Sequence, residues 1–184
     1  LGVNIMVALT TFADMVRTAV ESRADIIFSG AGLPMDLPKI FLDTCEQKKE
    51  AFRTKLVPIV SSSRAAAIIA KKWLQKTGLL PDAFVLEGPR AGGHLGFSKE
   101  HIFDSSFSLE NLISGVIDVA RDLEDKAGRS IPVIAGGGVF SGSDIARVLN
   151  LGASGVQMAT LFVATNECDA DIRFKQAYVN ADEK

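Results

Sequence analysis

The chain has 184 residues, 47% of them hydrophobic, with a formal net charge of -2. Those values fit one soluble globular domain with a sizeable core, spanning residues 1–184. The charge balance offers nothing to nucleic acid or to an anionic membrane. No apolar run reaches the roughly 20 residues that a membrane helix needs. No signal-peptide pattern opens the sequence. The two cysteines, Cys45 and Cys168, form no metal-type pair, and no metal site is expected; a reduced, cytoplasmic setting follows.

Leu1, not Met, begins the chain, and a strand pattern follows almost at once, so a preceding segment is expected. Residues 3–9 read as the first strand, and residues 12–22 as a helix with Thr11 as its cap. A second strand at 26–28 runs into Ser29-Gly30-Ala31-Gly32, and a helix is predicted over 37–52. Residues 56–60 form the third strand, with Ser61 to Ser63 at its exit, and 64–76 a helix stopped by Gly78. The fourth strand, 83–87, enters a long connection over 88–107 before a helix at 109–126. A fifth strand at 131–135 leads into Gly136-Gly137-Gly138 and a short helix at 143–151, ended by Gly152. The sixth strand spans 155–160, and 170–178 looks helical; residues 181–184 carry no helix-end signal.

Six strand–helix units with strands apolar throughout mean an α/β fold with a parallel sheet buried on both faces. An open doubly wound sheet and a (β/α)₈ barrel compete. A dinucleotide-binding open sheet places Gly-x-Gly-x-x-Gly after its first strand, where this chain has Thr10-Thr11-Phe12. Its glycines follow the second, fourth and fifth strands instead, which in a barrel share one face, with phosphate bound after the last two strands. The barrel is therefore expected, with six of its eight strands supplied here. Six strands alone leave two unpaired edges and an open core.

The chemistry gathers in Glu87-Gly88-Pro89-Arg90-Ala91-Gly92-Gly93-His94-Leu95-Gly96-Phe97. Glycine lets backbone approach a ligand closely, and histidine as a residue type is suited to moving a proton. His94 is the catalytic candidate, whereas His101, between Lys99 and Glu100, reads as surface. Gly137 and Gly138, with the start of the following helix, offer backbone N–H groups to a phosphate, or simply make a tight strand–helix turn. Thr160 offers a hydroxyl to the same phosphate or only ends a strand. Asn4, inside an apolar run, needs hydrogen-bond partners from a ligand or from backbone. Glu87 faces the site or pairs with Arg90. Phe97 and Phe103 line a pocket or pack the loop. Cys168 has no histidine near it in sequence to support a nucleophilic role.

Taken together, residues 88–96, then Ile131-Pro132-Val133-Ile134-Ala135-Gly136-Gly137-Gly138, then Gln157-Met158-Ala159-Thr160-Leu161-Phe162, resemble the nitronate monooxygenase family, once called 2-nitropropane dioxygenase. Asn4 and Ser29-Gly30-Ala31-Gly32 fit the same pattern in the same order. The resemblance implies an FMN-dependent TIM barrel of which this chain supplies strands three to eight. It implies FMN contacts from Asn4, Glu87, Gly92, Gly93, Gly137, Gly138, Gln157, Met158, Ala159 and Thr160. His94 matches the family's active-site histidine, a base or a substrate-orienting group beside the flavin. The implied reaction oxidises an alkyl nitronate with O₂ to a carbonyl compound and nitrite.

Two positions depart from the family pattern. Glu87 stands where glutamine is common, and a carboxylate there only accepts hydrogen bonds. Ala159 stands where glycine is usual, so its methyl group crowds a phosphate. With two strands missing, weak FMN binding, an exposed apolar edge and self-association are expected. Alternative activities of this fold are an FMN-dependent enoyl-(acyl carrier protein) reductase and an NAD(P)H:quinone reductase, with NAD(P)H as donor. An incomplete barrel that binds no flavin is the non-enzyme alternative.

Overall fold

The computed structural model describes residues 1–181; the tail considered above at 182–184 lies outside them. Strands and helices alternate in chain order. They are β1 (Gly2–Met6), α1 (Phe12–Glu21), β2 (Ile26–Gly30), α2 (Leu37–Lys48), β3 (Lys55–Val60), α3 (Ser63–Thr77) and β4 (Phe84–Glu87). Then come α4 (Leu109–Ala127), β5 (Val133–Gly136), α5 (Gly142–Asn150), β6 (Gly155–Gln157), α6 (Thr160–Val163) and α7 (Ile172–Val179). The six strands pair in sequence order, β1-β2-β3-β4-β5-β6, and every pair is parallel. All carboxyl ends therefore lie at one end of the sheet. The sheet curls into six of the eight units of a TIM barrel.

Side chains alternate between the two faces of each strand, and each face has its own core. Ile5, Ile27, Leu56, Phe84, Leu86, Val133 and Ala135 point outward onto the helices, where Val16, Leu37, Ile69, Trp73, Ile113 and Val148 cover them. Val57, Ala83 and Val85 form the inner cluster with Ile26, Phe28, Ile59 and Ile134. Glycine sets how closely the inner positions approach. A Cβ on Gly30 would lie 2.9 Å from Ile59, and one on Gly136 would lie 3.0 Å from Gln157.

The expectation of strands buried on both faces holds for β2 to β5 and fails at the rims. On β1, Gly2, Asn4 and Met6 are exposed, because among the described residues no further strand covers that side. A groove of about 650 Å³, with Val3, Ile5, Met15 and Ala19 in its wall, runs along β1 and α1. This is the apolar edge the strand count called for. A second apolar surface lies beyond β6, where Phe162, Ile172, Phe174 and Val179 are all more than half exposed.

Several boundaries differ from the pattern reading. β1 stops at Met6, not at residue 9, because the chain turns there: Leu9 N–H donates to Met6 O at 3.3 Å. Thr11 accepts no side-chain capping bond; only its backbone carbonyl takes the Met15 N–H. α2 ends at Lys48, four residues early, because Lys49 turns left-handed (φ 53°) and Glu50 N–H bonds back to Cys45 O. β6 is only three residues long; Met158 and Ala159 form its exit, and Thr160 opens α6. Gly78 ends α3 as read, with φ 72°, while Ser62 caps its start by accepting from Ala65 N–H.

One buried polar tie joins the β2 exit to α3. Trp73, fully buried, donates its indole N–H to Pro34 O at 2.9 Å, and Pro34 is itself buried. Replacing Trp73 by Phe keeps an apolar ring but leaves that carbonyl without its donor. The expected loss is about 2 kcal/mol of unfolding free energy in urea titration.

Candidate active site

The carboxyl ends of β4, β5 and β6 are neighbours, which places the three singled-out segments side by side. In the ladder Glu87 registers with Gly136, and Gly136 with Gln157. Across the bare Gly136, the Gln157 Nε2 donates to Glu87 Oε1 at 2.9 Å. Glu87 therefore pairs with Gln157 and not with Arg90. Both are half-buried, on the inner face of the curl.

The loop after β4 rises from this floor. Gly88 N–H bonds to Gly136 O, and Ala91 N–H closes a turn onto Gly88 O, each at 3.0 Å. Gly137 fits against this turn. A Cβ on it would meet Ala91 N at 2.9 Å, Gly88 O at 3.0 Å and Gly88 N at 3.1 Å, and its φ is +94°. Gly138, φ +87°, packs on the Arg90 side chain. The tight-turn reading of these glycines is thus correct in part: close packing of two strand tips requires Gly137 whatever it binds. Yet among the described residues the N–H groups of Gly137, Gly138, Ala159 and Thr160 donate to no protein acceptor. Free amides at two adjacent strand tips are a donor set that an anionic phosphate satisfies, so the residues present fit FMN's phosphate end.

His94 is exposed in the middle of its loop. It lines a cavity of about 250 Å³ together with Glu87, Ser61, Ile59, Leu33 and Phe97. Gly92 and Gly93 beside it have nothing within 4 Å of a built Cβ. The lip of this cavity includes Ala31, a non-glycine residue with φ +54°, a conformation that costs energy and clusters at functional sites. Gly137 and Gly138 open instead onto a neighbouring cavity of about 320 Å³, with Arg90, Ser105, Ser108 and Arg147. The histidine and the Gly-rich turn thus share one end of the sheet but line separate cavities.

Asn4 is not brought to either cavity. It sits mid-strand on β1, registered with Phe28, and lines the edge groove. Met158, half-buried, packs against the main core, while Ala159 and Thr160 are exposed. His101 is less solvated than its charged neighbours suggest: it stacks on Phe107 with centroids 3.9 Å apart, and Phe97 meets Phe107 edge-on. Phe97 therefore both packs the loop and lines the His94 pocket, whereas Phe103, 88% exposed, lines the cavity of the Gly-rich turn instead. Sequence reasoning ranks Ser61 only as a weaker candidate at a strand end. The signal that would have found it, Gly96, lies 35 positions away.

Behind the Gly-rich turn, a capping box starts α5. Asp144 N–H donates to Ser141 Oγ at 3.2 Å, and Ser141 N–H donates to Asp144 Oδ2 at 2.9 Å. Bonds from the Ser141 hydroxyl, then from the backbone N–H groups of Ser141 and Phe140, lower the Asp144 pKa from 3.8 to about 2. A depressed carboxylate stabilises the fold above its ordinary pKa, and that contribution is lost as pH falls through the lowered one. The α5 start is therefore expected to loosen between about pH 4 and pH 2. The Asp144→Asn variant should show no such step when the α5 amides are followed by NMR titration. Among the described residues no group of three or more His, Cys, Asp or Glu side chains could hold a metal ion, and no helix is long and apolar enough to cross a membrane.

A curled parallel sheet with its loop chemistry at the carboxyl ends defines a protein of the TIM-barrel class. More narrowly, the chain belongs to the nitronate monooxygenase family, whose model matches residues 1–184. A probable nitronate monooxygenase of Staphylococcus aureus (strain NCTC 8325 / PS 47) is 34% identical over 110 residues, covering 59% of this chain and 28% of the relative. FabK from Thermotoga maritima superposes with a TM-score of 0.72 at 28% identity, over 98% of this chain and 47% of that one. The enoyl reductase domain of MlnA from Bacillus amyloliquefaciens shares the fold alone, with a TM-score of 0.69 at 14% identity, covering 98% and 45%. The chain thus spans about half the length of these structures, and its match to the curated relative covers little more than a quarter of that protein.

Proposed function

We propose that residues 1–184 form the flavin-binding part of an FMN-dependent oxidoreductase that oxidises alkyl nitronates with O₂ to a carbonyl compound and nitrite. The observation that carries the reading is the meeting of three adjacent strand tips. Free amides of Gly137, Gly138, Ala159 and Thr160 stand just beyond the Glu87–Gln157 pair, at the same end of the sheet as the His94 loop. Those amides, with Gly92 and Gly93 at the loop, would hold FMN. Bound there, FMN would supply the redox chemistry between substrate and O₂.

The protein's part is orientation and proton handling. His94 takes the proton from the carbon next to a nitro group, or holds the anionic nitronate, at the mouth of a pocket walled by Leu33, Ile59 and Phe97. Glu87, its Oε1 occupied by the Gln157 amide, keeps its other oxygen as an acceptor for a donor edge of the ligand. We place Asn4 in the FMN contact set only if strands added at the β1 edge turn that edge inward. The free thiols Cys45 and Cys168 fit a cytoplasmic setting.

The test is a spectrum of the purified chain before and after added FMN, followed by assay with a preformed nitronate under air. Flavin bands that are perturbed on binding, and nitrite release, are expected. A chain that stays colourless with FMN removes the reading in favour of a flavin-free barrel fragment. Anaerobic bleaching of the bound flavin by NADH or NADPH would instead assign the enoyl-(acyl carrier protein) or quinone reductase activity of the same fold.

A further inference from the structure

The His94 loop is fixed at both ends and free in the middle. At its base, Ala91 is held on Gly88 O with Gly137 packed beneath the turn. At its far end, Gly96 rests on Ser61, the residue that follows β3. Ser61 Oγ donates to Gly96 O at a long 3.4 Å. More telling is the space: a Cβ on Gly96 would fall 2.4 Å from Ser61 Oγ and 2.8 Å from Ser61 Cβ. Gly96 does not adopt the left-handed backbone that favours glycine. Its lack of a side chain is thus required by Ser61, not by its own dihedrals. Beyond the contact, Phe97 is held edge-on by Phe107, which stacks on His101. Between the fixed points, Gly92 and Gly93 touch nothing, and Gly93 has φ +83°. His94 sits on this short suspended span.

We propose that Ser61 is a positioning residue: its contact with Gly96 sets where His94 stands over the pocket that both residues line. The catalytic half of this statement rests on the reading of His94 given above; the positional half does not. Ordinary contact for a Cβ begins at 3.4 Å. An alanine at 96 must therefore push the loop about 1 Å off Ser61 Oγ and about 0.6 Å off Ser61 Cβ, and a misplacement approaching 1 Å costs up to the order of 10²-fold in turnover. The hydroxyl could rotate away, but Ser61 Cβ is fixed to the β3 backbone and cannot.

The experiment uses the full chain with four variants, Gly96→Ala, Ser61→Ala, Ser61→Gly and the double variant Ser61→Gly/Gly96→Ala. The readouts are the His94 imidazole NMR signals, amide exchange at residues 92–96, FMN affinity and turnover. Gly96→Ala is expected to move the His94 signals and lower turnover by up to about 10²-fold. Ser61→Ala is expected to speed amide exchange at 92–96. In the Ser61→Gly background, where the space for a Cβ has been opened, Gly96→Ala is expected to cost almost nothing further. An unmoved His94 signal in Gly96→Ala, or a deficit that Ser61→Gly does not relieve, overturns the proposal. If instead the signals move and are restored while turnover never changes, the positioning stands and the base role of His94 falls.

Discussion

Replacing His94 by Asn should leave FMN bound and cut oxidation of a neutral nitroalkane by about 10²- to 10⁴-fold, the range that a positioned general base contributes. A preformed nitronate should be oxidised at close to the native rate by the same variant. The contrast follows from where the proton goes. A neutral nitroalkane must lose a C–H proton before its electrons are available, and asparagine cannot take it. A nitronate has already lost that proton, and the asparagine amide still donates a hydrogen bond to its oxygens. Binding of the flavin should not suffer, because His94 is exposed and lines a cavity separate from the one onto which Gly137 and Gly138 open. Steady-state kinetics with both forms of one substrate decides the matter. Equal losses on both forms assign His94 to holding the anion, and no loss on either removes its role.

Gly137→Ala should be the most damaging single methyl group in the chain. The new Cβ would meet backbone atoms of Gly88 and Ala91 at 2.9 to 3.1 Å, and these cannot swing aside as a side-chain end can. The backbone at φ +94° adds a strain that alanine resists. Strain and overpacking together are expected to cost about 3 kcal/mol or more, a large share of the roughly 5–15 kcal/mol that stabilises a domain. Two controls separate the causes. Gly78→Ala carries the dihedral strain, φ +72°, with nothing within 4 Å, and should cost about 1 kcal/mol. Gly142→Ala has neither burden and should leave urea stability unchanged or slightly raised. FMN affinity should fall with Gly137→Ala alone, since only there does the β5 tip move.

Much of this architecture can be read without coordinates. Short apolar runs such as Leu56 to Val60 and Phe84 to Leu86, separated by amphipathic helix patterns, specify buried parallel strands wherever they fold. Gly78 stops α3 through a local property, its tolerance of positive φ. The misreadings were local as well. Val7 to Leu9 is apolar enough for a strand, yet the chain turns at Met6, where pairing with β2 ends at Gly30. Lys49 adopts a left-handed turn that its side chain does not advertise.

The site divides along the same line. Composition and motif order settle the strand–helix alternation, the placing of the Gly-rich segments after β4 and β5, and the standing of His94 as the lone histidine among glycines. These depend on residues close together in the chain. Only the folded sheet decides that Glu87 pairs with Gln157 70 residues away, that Gly137 is bare to admit Gly88 and Ala91, and that Ser61 sets the place of Gly96. Such contacts arise from strand register and from the curl of the sheet, which neighbouring strands fix jointly and no one segment encodes.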